Sequence, residues 1–442
     1  MKIMALSKSQ TAHRTDNFVE KTARNLDPAL HPFARAREYV RAVNATKLER
    51  VFAAPFISQL GRGHEDGVYA FAKDPYSLER FASGSGDGVV KVWDLSDQSE
   101  MWRTQAHSGI VKGMAWTRDR KLLSCSSDKA IKLYSPYDTP SNSSPSATYL
   151  GASGFTSITH HRSLPTFAAS SSIISIYDLS RPSSSPSEVL TPNSSGTINA
   201  VSFNQVETSI LASCDLDRAI CLYDLRTSSQ ISKATLSLSA NSISWNPMEA
   251  FNFAVGSEDH NIYIFDMRNL SRSLNILKDH VAAVMDVDFS PTGEELVSAS
   301  YDRTVRLWNR ASGHSRDVYH TKRMQRVFCA AYTPDSKYVL SGSDDGNIRL
   351  WRAHASERSG IKSARQRQKL EYDASLIERY KHMPEIKRIH RHRHVPKQVK
   401  KAGEIKREEI KAIQRRVENR RKHSKAPAKR KSEREKIVLA VD

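Results

Sequence analysis

One pattern of small, polar and apolar residues recurs seven times between residues 61 and 351. Each copy starts with small polar residues, passes an acidic turn, alternates apolar with polar positions and ends on an aromatic residue. These aromatic residues are spaced by 41, 43, 46, 42, 43 and 43 positions: Trp93, Tyr134, Tyr177, Tyr223, Phe265, Trp308 and Trp351. So regular a period is typical of a repeat array in which each copy forms one supersecondary unit.

The pattern within a copy predicts strands. Six copies place an aspartate six residues before the aromatic residue, and the third copy has Ser171 there. The residues that follow alternate with period two, as in Val305–Trp308, which predicts a strand. Further strand-like runs cover 284–289 and 295–300, and the Ser-Pro-Thr-Gly sequence between them favours a turn. Each copy therefore predicts several short strands.

Copies of this length and content resemble the blades of WD-repeat β-propellers. Gly63-His64, Ala106-His107 and Asp279-His280 occupy the place of that family's Gly-His dipeptide. The resemblance implies an all-β fold, a seven-bladed WD-repeat β-propeller. Residues 55–60 would add the strand that completes the seventh blade and closes the ring, so that no sheet edge is left open.

Three regions follow from this interpretation. We expect an N-terminal, partly helical arm at 1–54, the propeller at 55–352, and a basic, largely helical C-terminal extension at 353–442. Two Ser/Pro-rich insertions, 135–148 and 180–197, predict flexible surface loops beside the third copy.

In the WD-repeat family a His, a Ser, the turn Asp and the Trp form a hydrogen-bonded group that locks a blade. By resemblance this role falls to His280, Ser298, Asp302 and Trp308, and to their counterparts His64, Asp87 and Trp93. The third, fourth, fifth and seventh copies lack the matching His, so other contacts must hold those blades.

A His, a Ser and an Asp also make up a catalytic triad. A hydrolase, however, needs one exposed nucleophile in a cleft, whereas this group is repeated from blade to blade. The sequence contains no HExxH, P-loop or GxSxG motif. We therefore expect a structural group, no enzymatic activity and no cofactor.

Charge is distributed unevenly along the chain, whose formal net charge is +19. Residues 1–60 carry 10 basic and 5 acidic side chains (+5), residues 61–351 carry 28 and 31 (−3), and residues 352–442 carry 29 and 12 (+17). A basic segment favours a nucleic-acid partner. No run of 18 apolar residues exists, so we expect no membrane association. The four cysteines form no CxxC pair, which argues against a disulfide frame or a zinc site.

Both ends carry helical patterns. Residues 24–44 predict a helix, and residues 45–52 a second short helix or a turn, in an arm that must pack on the propeller or on a partner. In the extension, residues 355–382 have helix-forming composition that ends at Pro384. A second helical run is predicted from about Lys397 to Lys422, with apolar residues at irregular spacing.

Between these helices lies an Arg/His-rich segment that we interpret as the main RNA contact. Arg binds phosphate with two donors and His can stack or donate. The RNA-binding candidates are Lys387, Arg388, His390, Arg391, His392, Arg393, His394, Lys397, Lys400, Lys401, Lys406 and Arg407. An extended backbone would place the three histidines on one face, but the neighbouring cations would repel a divalent ion, so we expect no metal site. A solvated basic tail without a fixed ligand is the alternative.

Residues 31–56, 245–293 and 369–397, largely outside the generic repeat positions, resemble the Sof-type WD-repeat proteins of the small-subunit processome. The resemblance implies a non-enzymatic, nucleolar assembly factor that helps process pre-ribosomal RNA toward 18S rRNA. Its implied partners are pre-ribosomal RNA, a box C/D snoRNP particle and other processome proteins. A basic cluster, 420–431, is similar to a nuclear import sequence.

Two other functions stay open. Tyr223–Arg226 and Phe265–Arg268 resemble the WDxR ending with which substrate receptors of cullin-RING ubiquitin ligases dock on the ligase adaptor. Arg226 and Arg268 are therefore candidates for partner binding. A freely acting RNA chaperone or chromatin factor is a third possibility.

Overall fold

A computed structural model of the chain describes residues 27–137, 144–181, 185–192, 196–357, 360–424 and 432–441. The chain folds as two compact units. The helical unit comprises the described residues before Pro55 together with His354–Arg393. The propeller unit comprises Pro55–Ala353 and the described residues from His394 onward.

Within the described residues, the propeller unit is built from seven antiparallel sheets. From the inside outward the strands follow chain order in six of them, whereas the seventh sheet takes its outer strand from the beginning of the unit. The innermost strands are β2 Val68–Lys73, β6 Val111–Trp116, β10 Ser157–His160, β14 Ile198–Phe203, β18 Ala240–Trp245, β22 Val284–Phe289 and β26 Val327–Tyr332. The second strands are β3 Arg80–Ser85, β7 Leu122–Ser126, β11 Thr166–Ser170, β15 Ile210–Asp215, β19 Asn252–Ser257, β23 Glu295–Ser300 and β27 Tyr338–Ser343. The third strands are β4 Val89–Asp94, β8 Ala130–Tyr134, β12 Ile174–Asp178, β16 Ala219–Asp224, β20 Ile262–Asp266, β24 Val305–Asn309 and β28 Ile348–Arg352. The outer strands are β1 Phe56–Gln59 in the seventh blade and β5 Ser99–Gln105, β9 Ala147–Leu150, β13 Glu188–Leu190, β17 Ser229–Leu236, β21 Asn275–Leu277 and β25 Ser315–Tyr319 in the others.

The sheets close into a ring, which confirms the seven-bladed propeller. Each innermost strand contacts the next, and β26 of the last blade contacts β2 of the first. The predicted closing strand β1 pairs with β28, where Phe56 lies opposite Trp351 and Gln59 opposite Arg349. Second and third strands are buried almost throughout because neighbouring blades cover both of their faces.

The recurring aspartate forms the turn between the second and third strands. In six blades the residue after it has a positive φ of 65° to 82°: Gly88, Lys129, Arg218, His260, Arg303 and Gly346. A left-handed conformation costs a non-glycine residue about 1–2 kcal/mol. The carboxylate offsets this cost by accepting a backbone N–H two residues on, as Asp302 Oδ1 does from Thr304 at 3.0 Å. This bond explains why the aspartate keeps a constant distance from the aromatic residue.

The second predicted loop, 180–197, is only partly a loop. Its residues Glu188–Leu190 form β13, which pairs with β12. Leu190 is buried among the core residues of the third and fourth blades. The Ser/Pro content misled the prediction, because a three-residue segment with one buried apolar side chain is enough to form an outer strand beside β12. Residues 138–143, 182–184 and 193–195 of the two insertions lie outside the described residues.

The helical unit contains a short 3-10 helix, Pro28–Leu30, and helices α1 Ala34–Val51, α2 Ala364–Arg379 and α3 Pro384–Arg391. Helix α1 is continuous where two elements were predicted. The N-terminal arm thus packs on a later segment of its own chain: Ala42 and Val43 of α1 meet Leu376 of α2 and Ile386 of α3 in one buried cluster. Around it, Glu38 Oε2 accepts from Arg379 Nη1 at 3.1 Å and from Tyr380 Oη at 3.2 Å.

The propeller unit also holds the last elements of the chain. Helix α4, Lys397–Lys422, confirms the second predicted helix. Helix α5, Glu433–Lys436, and strand β29, Val438–Val441, were not predicted. Strand β29 pairs with β17, so the fourth blade has five strands.

Candidate functional site

The predicted blade lock is assembled in the sixth blade. His280 Nδ1 lies 2.8 Å from Asp302 Oδ2, and His280 Nε2 lies 2.7 Å from Ser298 Oγ. Trp308 Nε1 donates to the same Ser298 Oγ at 2.8 Å. Because an ionised carboxylate can only accept, the imidazole proton lies on Nδ1 and points to Asp302. Nε2 of the neutral ring then accepts from the Ser298 hydroxyl, whose oxygen accepts from the indole N–H. The four side chains form one directed chain of hydrogen bonds.

Burial and neighbouring charges shift the pKa values of the two titratable residues in this lock, His280 and Asp302. His280 is 1% exposed and Ser298 is completely buried. Burial lowers the pKa of His280, and the Asp302 carboxylate opposes this effect only in part. Desolvation alone would raise the pKa of Asp302, but His280 and Arg306 outweigh it and hold that pKa well below its usual range. The burial of these atoms fits the expected structural group and does not provide the exposed nucleophile that a hydrolase needs.

The first blade has the same lock without its acid. His64 Nε2 and Trp93 Nε1 each lie 2.7 Å from Ser83 Oγ. Asp87 instead accepts from Val89 N in the turn, and His64 Nδ1 has no hydrogen-bond partner within the described part of the chain. Burial and the nearby Lys91 lower the pKa of His64 to about 4. Ser83 was not identified from the sequence, although its position ten residues before the aromatic residue matches that of Ser298.

Other blades use variants of the lock. In the second blade His107 lies 2.9 Å from Asp128 and 2.8 Å from Ser124, but Tyr134 replaces the Trp. In the seventh blade Trp351 donates to Ser341 at 2.8 Å, and Arg349 Nη2 bonds Asp345 Oδ2 at 2.5 Å where other blades use His. In the fifth blade Tyr263 Oη donates to Asp259.

The fourth and fifth blades are joined by residues 432–441, which we name the C-terminal latch. Strand β29 pairs with the outer strand β17, with Leu236 opposite Val438. Ile437 and Val438, each 8% exposed, join a core cluster that contains Leu236 of the fourth blade and Leu270 of the fifth. Ser273 N of the fifth blade donates to Arg434 O at 3.2 Å. The latch thus adds a contact between these two blades, both of which lack the matching His.

Helix α3 has two chemically different sides. Ile386 is 1% exposed and Ile389 packs beside the helical core. The RNA-binding candidates Lys387, Arg388, His390 and Arg391 are exposed. Beside them lies a cavity of about 590 Å³. Its lining combines apolar residues with basic and acidic ones: Ala374, Ile377, Ile386, Lys381, His382, Lys387, His390, Arg391, Glu49 and Glu378. We name the exposed α3 side chains the basic face.

The histidines do not share one extended strand, as the alternation suggested. His390 belongs to α3, and an extended conformation begins only at His392. The prediction treated Pro384 as a helix end, but proline also suits the first position of a helix, where its missing N–H is not needed. His394 lies beside His320, with ring centroids 5.4 Å apart.

The candidates on α4 divide into two groups. Lys397, Lys400, Lys401 and Arg407 are exposed at the helix surface. Lys406 is not: its Nζ donates to His280 O at 2.9 Å, and burial lowers the pKa of its ammonium. Lys406 therefore binds the propeller itself, and we remove it from the RNA-contact set. Arg393 is half-buried and bonds backbone carbonyls of its own segment.

The two adaptor candidates have matching geometry in adjacent blades. Arg226 Nη2 lies 3.2 Å from Asp224 Oδ2, and Arg268 Nη2 lies 2.8 Å from Asp266 Oδ2. Each Asp ends the third strand of its blade, and the Arg side chains are 77% and 62% exposed. Phe251 packs under Arg268 at 4.2 Å. The aspartates hold both guanidinium groups at the surface.

Two features are absent from the residues that the structure describes. No group of three or more His, Cys, Asp or Glu is arranged to hold a metal ion. None of the helices combines the length and apolar character that a membrane crossing requires. Of the basic cluster similar to an import sequence, Arg420–Lys422 end α4, and residues 425–431 lie outside the described residues.

Comparison with family models identifies both parts of the chain. WD domain, G-beta repeat models match residues 56–94, 99–135, 271–309 and 312–352, and a Sof1-like domain model matches residues 353–438. Among solved structures, the WD40 β-propeller domain of Doa1 is similar with a TM-score of 0.57 and 18% identity, over 67% of this chain and 96% of that one. This likeness concerns the fold alone.

Curated relatives match over nearly their whole length. Protein sof1 of Schizosaccharomyces pombe is 53% identical over all of both chains, and Protein SOF1 of Saccharomyces cerevisiae is 51% identical over 91% of this chain and 87% of its own. DDB1- and CUL4-associated factor 13 of Xenopus laevis is 44% identical over 100% of this chain and 99% of its own. With this identity over its full length, and with the Sof1-like model on its extension, the chain belongs to the Sof1 family.

Proposed function

We propose that this protein is a non-enzymatic scaffold and assembly factor in ribosome biogenesis, acting in the small-subunit processome on the way to 18S rRNA. Membership of the Sof1 family supports ribosome biogenesis, and WD-repeat propellers typically serve as scaffolds. In this proposal the propeller binds other processome proteins, and the basic parts of the extension bind pre-ribosomal RNA within a nucleolar particle that holds a box C/D snoRNP.

The observation that carries the RNA-binding part is the two-sided helix α3. Its apolar side is fixed in the helical core through Ile386, which holds Lys387, Arg388 and Arg391 outward on a rigid element. A solvated tail would have no such anchor. Preorganised cations lose less side-chain entropy on binding than cations on a flexible tail.

The chemistry of the basic face suits single-stranded or irregular RNA. Arg forms bidentate contacts with phosphate, and the imidazoles of His382 and His390 can stack on a base. The adjacent cavity has room for an unpaired base, and Lys381, Lys387 and Arg391 outnumber Glu49 and Glu378 in its lining. Lys397, Lys400 and Lys401 at the start of α4 add further phosphate contacts in this proposal.

Charge reversal tests the basic face. We expect the triple variant Lys387→Glu, Arg388→Glu, Arg391→Glu to weaken binding of a fluorescent 20-nucleotide single-stranded RNA. Three lost phosphate contacts should make the slope of log K against log salt shallower by about 2. Reversal is preferable to deletion because α3 contributes Ile386 to the core.

The matched control reverses Arg365, Arg367 and Lys369, which are exposed on α2. Both triples change the charge equally, so an equal loss would mean that only net charge matters. Crosslinking of the full chain to RNA in purified pre-ribosomal particles should place adducts within 387–401. Adducts confined to the propeller would contradict the proposal.

A second function, substrate receptor of a cullin-RING ubiquitin ligase, is favoured by the paired geometry of Arg226 and Arg268. Relatives that carry the name DDB1- and CUL4-associated factor 13 support testing it. Reversing both arginines to Glu should abolish pull-down of DDB1 and leave association with pre-ribosomal particles intact. Loss of particle association together with unchanged DDB1 binding would favour the scaffold function alone.

A further inference from the structure

Helix α4 carries one stripe of positions spaced by four and three residues in alternation: Val399, Gly403, Lys406, Ile410, Ile413 and Val417. The irregular spacing inferred from the sequence arose from including Ile405, which lies off this stripe. Alternating four- and three-residue steps are the heptad spacing with which one α-helix packs along another. The stripe therefore marks a single packing surface along the helix.

The first half of the stripe is already covered or in contact with the propeller. Val399 is 8% exposed, and Lys406 Nζ donates to His280 O. At Gly403 a Cβ atom would lie 3.8 Å from Val281 Cγ2 of the sixth blade, so the helix backbone runs close to the propeller there.

The second half of the same stripe is open. Ile410, Ile413 and Val417 are 42%, 59% and 48% exposed. Three branched aliphatic side chains on one side of an exposed, highly charged helix form an apolar surface that water does not favour. The stripe passes without interruption from a covered half into an uncovered half.

The charges beside the open half are mainly basic. Gln414, Arg416 and Arg421 flank the stripe, Arg420 continues it, and Glu409 is the acidic neighbour. In paired helices these flanking positions choose the partner through opposite charges. A second copy of this helix would bring arginines against arginines, so a partner with acidic flanking residues fits better.

We propose that residues 410–421 of α4 dock an acidic amphipathic α-helix of a protein partner, which continues the packing that the propeller begins at 399–406. The proposal does not depend on RNA binding by α3. Phosphate groups would use the cations on the opposite side of α4, such as Lys411 and Arg415, and would leave the aliphatic stripe uncovered.

Photo-crosslinking from the full chain tests which molecule binds residues 410–421 of α4. A p-benzoylphenylalanine at position 413 is activated in purified pre-ribosomal particles, and the same group at position 412, on the opposite side of α4, is the control. We expect a nuclease-resistant, protease-sensitive adduct from position 413 alone. Its mapped peptide should have apolar residues at three- and four-residue spacing with acidic neighbours.

A synthetic peptide with the mapped sequence is then used to measure the affinity of the partner helix for the full chain. Ile413→Glu should weaken its binding to the full chain by at least about tenfold, whereas Ala412→Glu should change it by less than about twofold. Both positions are exposed, and an unchanged thermal transition confirms folding. An adduct with RNA, an adduct with a second copy of this chain, a peptide without the acidic pattern, or no adduct at position 413 would each overturn the proposal.

Discussion

The sixth blade is held by side chains of its own, whereas the fourth blade receives a strand from a segment about 200 residues later in the chain. The lock of the sixth blade joins residues within one repeat, and it forms whenever that repeat folds. The latch joins the fourth and fifth blades through Ile437 and Val438, and it takes no part in the β1–β28 pairing that closes the ring. Blades of one propeller can therefore differ in local stability even though their strands match.

Removing the lock should have the largest effect. His280→Leu leaves the buried Asp302 carboxylate without its imidazole donor, and Ser298 without its closest acceptor. Losing a buried, charge-assisted network of this kind should cost about 3–4 kcal/mol in the free energy of unfolding. Denaturant titration of the variant and the parent chain measures this loss in the free energy of unfolding. A loss below about 1 kcal/mol would mean that strand pairing alone holds the blade.

Loosening the latch should have a smaller and local effect. The double variant Ile437→Ser, Val438→Ser removes two buried aliphatic side chains, each worth ~1.5–3 kcal/mol, and release of the ordered segment offsets part of this. We expect a net loss of about 3 kcal/mol in the fourth and fifth blades. Hydrogen exchange should become faster in β17 and β21 and stay unchanged in β24.

Leu439→Ser is the matched control for the latch, because Leu439 lies in the same strand but is 60% exposed. This variant should leave the exchange rates of β17 close to those of the parent chain. Equal acceleration in β24 of the double variant would show that the blades unfold as one cooperative unit, which would remove the contrast between lock and latch.

Acidification acting through His64 should have the smallest effect of these changes. His64 has a pKa of about 4 in the folded chain and about 6.5 in the unfolded chain, so the unfolded state binds more protons as the pH falls below 6.5. Between pH 7 and pH 5 this linkage should lower the free energy of unfolding by about 2 kcal/mol. His64→Gln should flatten the pH dependence by that amount. An unchanged slope would contradict burial of a neutral imidazole.

The blades could be predicted because their pattern is local. The 43-residue period, the turn aspartate and the aromatic residue all lie within one repeat, and the closing strand β1 follows from the need to cover the last edge. The positions of His64, His280 and Trp308 in their locks follow from the same spacing.

The C-terminal parts could not be predicted in the same way. Val438–Val441 is too short to show a period, and its pairing depends on the free edge of β17. Lys406 looks like its neighbours in sequence, and only the placement of α4 against His280 separates it from them. Ser83 alone could have been found, from its distance to Trp93.

The pairing of β1 with β28 has a consequence for the timing of synthesis. Strand β1 ends at Gln59 and β28 begins at Ile348, so about 290 residues must be made between the two partners. At about 5–20 residues per second, β1 waits roughly 15–60 s before its partner exists. Throughout that interval the nascent chain is an open arc with uncovered strand edges at both ends, so we expect it to depend on chaperones until Trp351 comes to lie opposite Phe56.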